Sequence, residues 1–252
     1  MRPSFRFPLA LALAALALPA AARAQGAPLP TGRAVIDKFI SAIGGRDAVM
    51  RQTGRHAKGH FEIPAQGVAG DLEVYAAPPN KLSVTVIITG LGEIRTGFDG
   101  TVGWSLNPAM GPMVLDGLQL EQMRQQADFY TALYPPEMIA ELETAGEETF
   151  EEHPSYKVRV KTTWGEEFFE FFDQSSGLQL GSRRTVASPM GDIEATTVFS
   201  DWREVEGVKV PFRTVQRTMG IEQVFTITEM TPSAVPDSVF ALPAQIETMV
   251  KQ

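Results

Sequence analysis

The spacing of apolar residues changes at Arg55 from a helical period to a period of two. Before that point the apolar residues recur three or four apart, as in a helix with one buried side: Val35, Ile36, Phe39, Ile40 and Ile43. Thr31 can cap this helix, and Gly44-Gly45 can end it. From Arg55 onward apolar and polar residues alternate, which predicts strands with one apolar face.

The alternation predicts two groups of strands with a helical insertion between them. About five strands occupy residues 55–106, and residues 107–117 form a loop rich in Pro, Gly and Met. The spacing then predicts an insertion over residues 118–142, with one helix over 118–133 and a second short helix after Pro135-Pro136. About seven further strands are predicted at 147–152, 156–163, 166–173, 178–187, 191–201, 207–218 and 221–230.

This order of elements predicts a mainly β fold with a few helices, in the α+β class. Long sequential strands joined by tight turns favour an antiparallel, meandering sheet. Such a sheet must cover its apolar face, and only two or three helices are available to do so. We therefore expect a strongly curved sheet wrapped around the helices, in a single domain over residues 25–252.

The first 24 residues have the three-part pattern of a secretory signal peptide. Arg2 and Arg6 form a basic start, and an unbroken Ala and Leu run follows at 9–18. That run has about half of the roughly 20 residues that a membrane-spanning helix needs. Ala22-Arg23-Ala24 offers small residues at a cleavage site. We expect cleavage after Ala24 and a periplasmic protein that does not span the membrane.

Charge and cysteine content narrow the classes of function. The net charge is −8. Removal of the leader, with its three arginines and no acidic residue, lowers the charge to about −11. An acidic protein repels nucleic acid and anionic lipid surfaces at long range. The absence of cysteine excludes zinc–thiolate sites, Fe–S clusters and cysteine nucleophiles.

A search for catalytic or metal-binding motifs yields no candidate residue. His56 and His60 lie four apart on a predicted strand, which separates them by about 13 Å and is too far for one metal ion. The glutamate runs near 147–152 and 166–170 have no EF-hand spacing, so they favour solvated strand faces. We expect no catalytic residue, no metal and no cofactor. A nucleophile–base pair assembled only by folding stays open as an alternative.

The apolar residues instead favour a binding role. Phe168–Phe172 places aromatic side chains on both faces of one predicted strand, and the loop at 107–117 could serve as a lid. A curved sheet with an apolar inner face could hold a lipid-like ligand. The candidate lining residues, chosen by face and size, are Val84, Val86, Ile88, Trp104, Phe129, Leu133, Phe169, Phe171 and Phe199.

Four short motifs, in this order, resemble the outer-membrane lipoprotein-sorting-protein-like families, which are relatives of the lipoprotein carriers LolA and LolB and of RseB. They are Pro79-Asn80-Lys81, Gly97-Phe98-Asp99-Gly100 to Trp104, Phe172-Asp173…Ser176-Gly177-Leu178, and the segment 201–212. The likeness spans about residues 31–243. It implies a half-open barrel of about eleven antiparallel strands, closed by helices around an apolar cavity for acyl chains.

Three functions follow as hypotheses. The first is a periplasmic, non-enzymatic carrier for a lipid, a lipoprotein acyl chain or another apolar ligand in envelope biogenesis. The second is a regulatory or assembly protein that resembles RseB and acts through contacts with an envelope protein. The third is an unrecognised hydrolase, which requires a cleft that brings His153 within hydrogen-bond reach of Ser and Asp side chains.

Overall fold

The computed structural model describes residues 28–188 and 191–251, and the expected signal peptide lies outside these residues. A single antiparallel sheet dominates the fold, in the order β6-β5-β4-β3-β2-β1-β13-β12-β11-β10-β9-β8-β7. The sheet therefore consists of two meanders, β1–β6 and β7–β13, which meet where β1 pairs with β13. Its two edge strands, β6 and β7, follow one another in strand order and are connected by the segment between residues 114 and 139.

The described residues contain thirteen strands, four helices and three short 3-10 turns. The strands are β1 Arg55–Ile63, β2 Val68–Ala77, β3 Lys81–Ile88, β4 Gly92–Phe98, β5 Gly103–Asn107, β6 Gly111–Val114, β7 Ile139–Phe150, β8 His153–Thr162, β9 Glu167–Asp173, β10 Gln179–Ser188, β11 Gly191–Val205, β12 Val208–Thr218 and β13 Ile221–Pro232. The helices are α1 Gly32–Ala42, α2 Arg46–Arg51, α3 Gly117–Ala127 and α4 Ala244–Val250, and the 3-10 turns are Pro64–Gln66, Thr131–Leu133 and Asp237–Phe240.

The helix α1 begins at the predicted cap and packs on the second meander. The side chain of Thr31 accepts a hydrogen bond from the backbone N–H of Ala34 at 3.2 Å. The apolar side of α1 is buried against Val158, Val160, Phe168 and Phe172 of β8 and β9. We call the sheet face that α1 covers the inner face, and the opposite one the outer face.

The segment between the two sheet edges shows that the sheet is strongly curved. Phe129 packs with residues of β2, β3 and β4, whereas Leu133 packs with residues of β8 and β9. These two residues are four apart in the chain, so they are at most about 14 Å from each other. The inner faces of the two meanders must therefore approach one another across the hollow of an open half-barrel.

Three expectations about elements need correction. The sheet has thirteen strands rather than about eleven. The predicted loop at 107–117 contains the edge strand β6, which is paired with β5. The second half of the predicted insertion is a strand, because β7 begins at Ile139, and only α3 and a 3-10 turn are helical between residues 117 and 138. The mainly β, antiparallel fold is confirmed.

Candidate functional site

The inner face carries three apolar clusters, and one of them contains strand residues only. The first cluster includes α1, α2 and the turn at 131–133, and the second includes the end of α3 and Phe129. The third, which we call the strand-only cluster, has a buried centre of Phe61, Leu72, Val86 and Ile88. Around that centre lie partly buried apolar side chains: Ile63, Val68, Val74, Val84, Ile94, Phe225 and Ile227. These partly buried side chains form the apolar wall of the hollow.

The structure brings together six of the nine predicted lining residues on the inner side. Val84, Val86 and Ile88 alternate along β3 and belong to the strand-only cluster. Phe199 lies on the same face of the sheet, because residues that pair directly across strands point to one face. Its pairing continues to this cluster through Thr214, Phe225 and Phe61. Phe129 and Leu133 belong to the segment that covers the hollow, and both are buried.

Trp104, Phe169 and Phe171 lie on the outer face instead. Trp104 pairs with Gly97, whose neighbour Phe98 is on the inner face. Phe169 and Phe171 alternate with Phe168 and Phe172, which contact α1. These three outer side chains therefore do not line the hollow.

The outer aromatic residues of β9 are covered by the end of the β7–β8 hairpin. The ring of Phe150 stacks on that of Phe171, with centroids 4.2 Å apart and an interplanar angle of 11°. The guanidinium of Arg183 lies 4.8 Å from the ring centroid of Phe171. On the outer face of β9, Phe171 is therefore buried and Phe169 half-buried, so large aromatic side chains occur on both faces of the strand. For this reason, side-chain size did not identify the inner face.

Residues 117–134, which we call the cover, cross the hollow from one edge of the sheet towards the other. On the side of the first meander, the backbone N–H of Phe129 donates to the carbonyl of Pro79 at 3.0 Å. On the side of the second meander, the amide of Gln122 donates to Glu166 at 3.0 Å. The hydroxyl of Tyr134 donates to the carboxylate of Glu170 on β9.

Arg55, at the start of β1, contacts Phe129 of the cover. The guanidinium of Arg55 lies 4.6 Å from the ring centroid of Phe129, and its Nη2 donates to the Phe129 carbonyl at 3.4 Å. The buried Nε of Arg55 has no hydrogen-bond partner among the described residues. Burial lowers the pKa of Arg55 from its ordinary value. Its position at the start of β1 gave no sign of this role in the sequence.

A carboxyl group is buried beneath the other end of the cover. Burial raises the pKa of Glu170 to about 7, although the hydrogen bond from Tyr134, the charge of Arg184 and a hydrogen bond with Gln179 oppose this change. Burial, together with the charge of Glu170 and the hydrogen bond to it, raises the pKa of Tyr134 well above its ordinary value. Sequence inspection missed Glu170 because it lies in a run of glutamates that resembles a solvated strand face.

The turn that holds His153 does not assemble a nucleophile and a base. Nδ1 of His153 lies 3.6 Å from a carboxylate oxygen of Asp173. The hydroxyls of Ser175 and Ser176 donate to the other oxygen of Asp173, at 2.5 and 2.8 Å, rather than to the imidazole. Burial tends to raise the pKa of Asp173, but these hydrogen bonds outweigh it and lower the pKa to about 2. The arrangement is that of a turn held by an aspartate.

Within residues 28–188 and 191–251, no group of three or more His, Cys, Asp or Glu side chains could hold a metal ion. Over the same ranges, none of the helices combines the length and the apolar character that a membrane crossing requires.

Comparisons with known proteins find similarity in structure but not in sequence. No protein-family model and no curated protein matches the chain. A LolA superfamily protein from Nitrosomonas europaea has a TM-score of 0.57 and 13% identity, covering 85% of this chain and 99% of that one. A DUF1329 family protein from Desulfovibrio piger has a TM-score of 0.56 and 11% identity, with coverage of 83% and 96%.

A third solved structure carries the description suggested by the sequence motifs. It is a domain described as an outer membrane lipoprotein-sorting protein, from Vibrio parahaemolyticus, with a TM-score of 0.52 and 9% identity, covering 86% of this chain and 100% of that one. The resemblance drawn from the motifs is thus confirmed at the level of the fold. The chain has the LolA-like fold, with one open antiparallel sheet curved around its helices.

Proposed function

We propose that this chain is a periplasmic, non-enzymatic protein that binds a lipid, a lipoprotein acyl chain or another apolar ligand in the hollow of its half-barrel. The strand-only cluster is the observation that carries the proposal. Elsewhere on the inner face, the helices and the cover contribute residues to the apolar clusters of the sheet. In the strand-only cluster, the described residues that pack together all belong to five neighbouring strands, and the side chains around its centre are partly buried.

A partly exposed apolar wall of this kind is stabilised when an apolar ligand covers it. Burial of apolar surface is worth about 25 cal/mol per Å², so an acyl chain laid along the wall would gain several kcal/mol. A periplasmic location agrees with the signal-peptide pattern of the first 24 residues. The LolA-like fold adds the shape of the hollow but not the identity of its ligand.

The test is to bind a fluorescent fatty acid to the purified protein and to two matched variants. Val84 faces the hollow, whereas its neighbour Thr85 faces outward beside its cross-strand partner Arg95. We expect V84E to weaken binding more than tenfold, because a carboxylate in the apolar wall opposes the chain. T85E should bind within twofold of the wild type.

Native mass spectrometry of protein purified from a Gram-negative periplasm supplies an independent readout. A co-purified lipid that V84E loses and T85E retains would support the proposal. Absence of co-purified lipid, together with failure of the wild type to bind the fluorescent fatty acid, would refute it.

A specific observation also favours the second candidate, a regulatory or assembly protein that acts through protein contacts. Large apolar side chains are exposed at three hairpin turns: Leu91 is 61% exposed, Met110 73% and Met219 58%. These turns follow β3, β5 and β12, which run in the same direction, so all three lie at one end of the sheet. Exposed apolar side chains at one rim offer anchor points for a protein partner.

Crosslinking in the periplasm distinguishes the two candidates. A partner captured by the wild type, and lost when Leu91, Met110 and Met219 are replaced together by serine, would support the contact function. Retention of fatty-acid binding by the same triple variant would show that the rim and the hollow act separately.

A further inference from the structure

A row of polar side chains crosses the inner face of the second meander. The register places Glu170 opposite Ser182, Ser182 opposite Thr197, Thr197 opposite Gln216, and Gln216 opposite Gln223. Residues that pair directly across an antiparallel sheet point to the same face. These five side chains on β9–β13 therefore form one continuous line, which we call the polar row.

The positions of the two ends of the polar row show that it faces the hollow. At one end, Glu170 alternates with Phe168 and Phe172, which pack against α1. At the other end, Gln223 is two residues from Phe225, whose ring lies 5.1 Å from that of Phe61 in the strand-only cluster. Adjacent strands lie about 4.8 Å apart, so the row extends for roughly 19 Å across the floor.

The polar row passes from the covered to the open part of the hollow. Glu170 and Ser182 are buried at the end beneath the cover, Thr197 and Gln223 are half-buried, and Gln216 is exposed. Among the described residues, the side chains of Gln216 and Gln223 form no hydrogen bond with protein. Their amides are directly opposite one another and are available to a ligand.

The row that runs beside it contains three phenylalanines and one threonine, and we call it the aromatic row. Phe199, Thr214, Phe225 and Phe61 are paired in sequence across β11, β12, β13 and β1. Phe199, Thr214 and Phe225 each lie two positions along their strand from a residue of the polar row. These residues of the polar row are Thr197, Gln216 and Gln223, respectively. Two positions along a strand separate the two rows by about 7 Å. The floor therefore offers an apolar track and a hydrogen-bonding track side by side.

The charged groups near the polar row are already paired within the protein. Nη1 of Arg184 lies 3.3 Å from Glu166, and Glu170 accepts a hydrogen bond from Tyr134. The groups left to meet a ligand are amides and a hydroxyl, which hydrogen-bond to uncharged polar groups and do not neutralise an anion. The net charge of −8 also disfavours an anionic head group.

We infer that the hollow selects an amphiphile with an uncharged, hydroxyl-rich head group, whose acyl chain lies on the aromatic row and strand-only cluster while its head binds Thr197, Gln216 and Gln223. The inference rests on the proposed function and names the ligand class of the same site. It predicts a preference for a monoacylglycerol or a glycosylated lipid over a fatty acid anion of equal chain length.

The test compares monodecanoylglycerol with decanoate by isothermal titration at neutral pH. The wild type is expected to bind the monoacylglycerol about tenfold more tightly, which is the effect of roughly two neutral hydrogen bonds. In Q216L/Q223L this preference should disappear, with binding of decanoate unchanged or stronger. Q245L, altered at an exposed glutamine of α4, should behave as the wild type.

Each outcome has one interpretation. Equal affinity of the wild type for both ligands, or a preference that survives in Q216L/Q223L, overturns the selection of an uncharged head while the proposed function stands. Failure of both ligands to bind the wild type overturns the proposed function and this inference together. If the double variant does not fold, T197V, which removes one hydroxyl with little change of shape, should reduce the preference several-fold.

Discussion

Single residues decide how the cover is attached to the sheet. Glu170 and Arg55 contact opposite ends of the cover, and both lie in environments that are costly for a charged group. Tyr134, which donates to Glu170, adopts a left-handed backbone conformation with φ of 51°. The contacts of the cover therefore include a buried carboxyl, a buried guanidinium and a left-handed tyrosine, each of which is locally unfavourable.

We predict that E170Q removes a pH dependence of stability. Below pH about 4.5, the ordinary pKa, the carboxyl is protonated in both the folded and the unfolded chain. As pH rises from there to about 7, the unfolded chain loses the proton first, so the free energy of unfolding falls, by at most about 3 kcal/mol. Glutamine stays neutral and still accepts the hydrogen bond from Tyr134. E170Q should consequently be more stable than the wild type at pH 8.

Urea denaturation of the two proteins at pH 4 and pH 8 measures this effect. E167Q, altered at an exposed glutamate of the same strand, serves as the control and should keep the pH dependence of the wild type. An identical fall in stability between the two pH values in E170Q and the wild type would refute the assignment to Glu170.

For single residues, the sequence did not predict how deeply each side chain is buried or, on some strands, which face it occupies. Alternation correctly grouped Val84, Val86 and Ile88 on the inner face, because one face of β3 is apolar and the other largely polar. On β9 both faces carry aromatic side chains that are buried or half-buried, so size and period could not assign Phe169 and Phe171 to a face. Nor could the sequence reveal that a glutamate in an acidic run is buried under the cover.

Elements were predictable where local pattern and tertiary context agree. The helix α1 begins at the expected cap, and the strands of the first meander follow the alternation. The start of β7 was predicted as a helix because Glu137–Leu142 is rich in helix-forming residues. In the structure, Leu142 pairs with Val160 and contributes to the cluster around α1, so pairing with β8 overrides local propensity.

The carboxyl-terminal helix α4 is attached to the sheet through one buried side chain. It packs on β6, at the edge of the first meander, and Ile246 is its only buried residue. We predict that I246A lowers the free energy of unfolding by about 2–4 kcal/mol, as expected for a large-to-small change at a buried site. V250A, at an exposed position of the same helix, should change it by less than about 0.5 kcal/mol. Thermal or urea unfolding measures both, and equal effects of the two variants would contradict this role for α4.

At the scale of the molecule, the sheet depends on a seam that the sequence did not reveal. The strand order predicted a meander, but the meander is completed by pairing of residues 55–62 with residues 224–232, which are far apart in the chain. Without that seam there would be two smaller sheets and no continuous inner face. The seam thus joins the apolar side chains of β1–β4 to the polar row on β9–β13, and the hollow with its two kinds of surface exists only in the intact sheet.

Gly59 is the position at which this dependence can be measured. It is buried at a register shift between β1 and β13, and a Cβ there would lie 2.0 Å from the carbonyl oxygen of Thr226. Because the obstacle is backbone, the two strands must separate to admit a methyl group, and G59A should cost about 2 kcal/mol or more. A69V, which adds volume at an exposed position on β2, should lower the free energy of unfolding much less.

If the sheet is one cooperative unit, circular dichroism and tryptophan fluorescence will report the same lowered midpoint for G59A in urea. Separate transitions for the two probes would show instead that the two meanders fold independently and that the seam does not hold the hollow together.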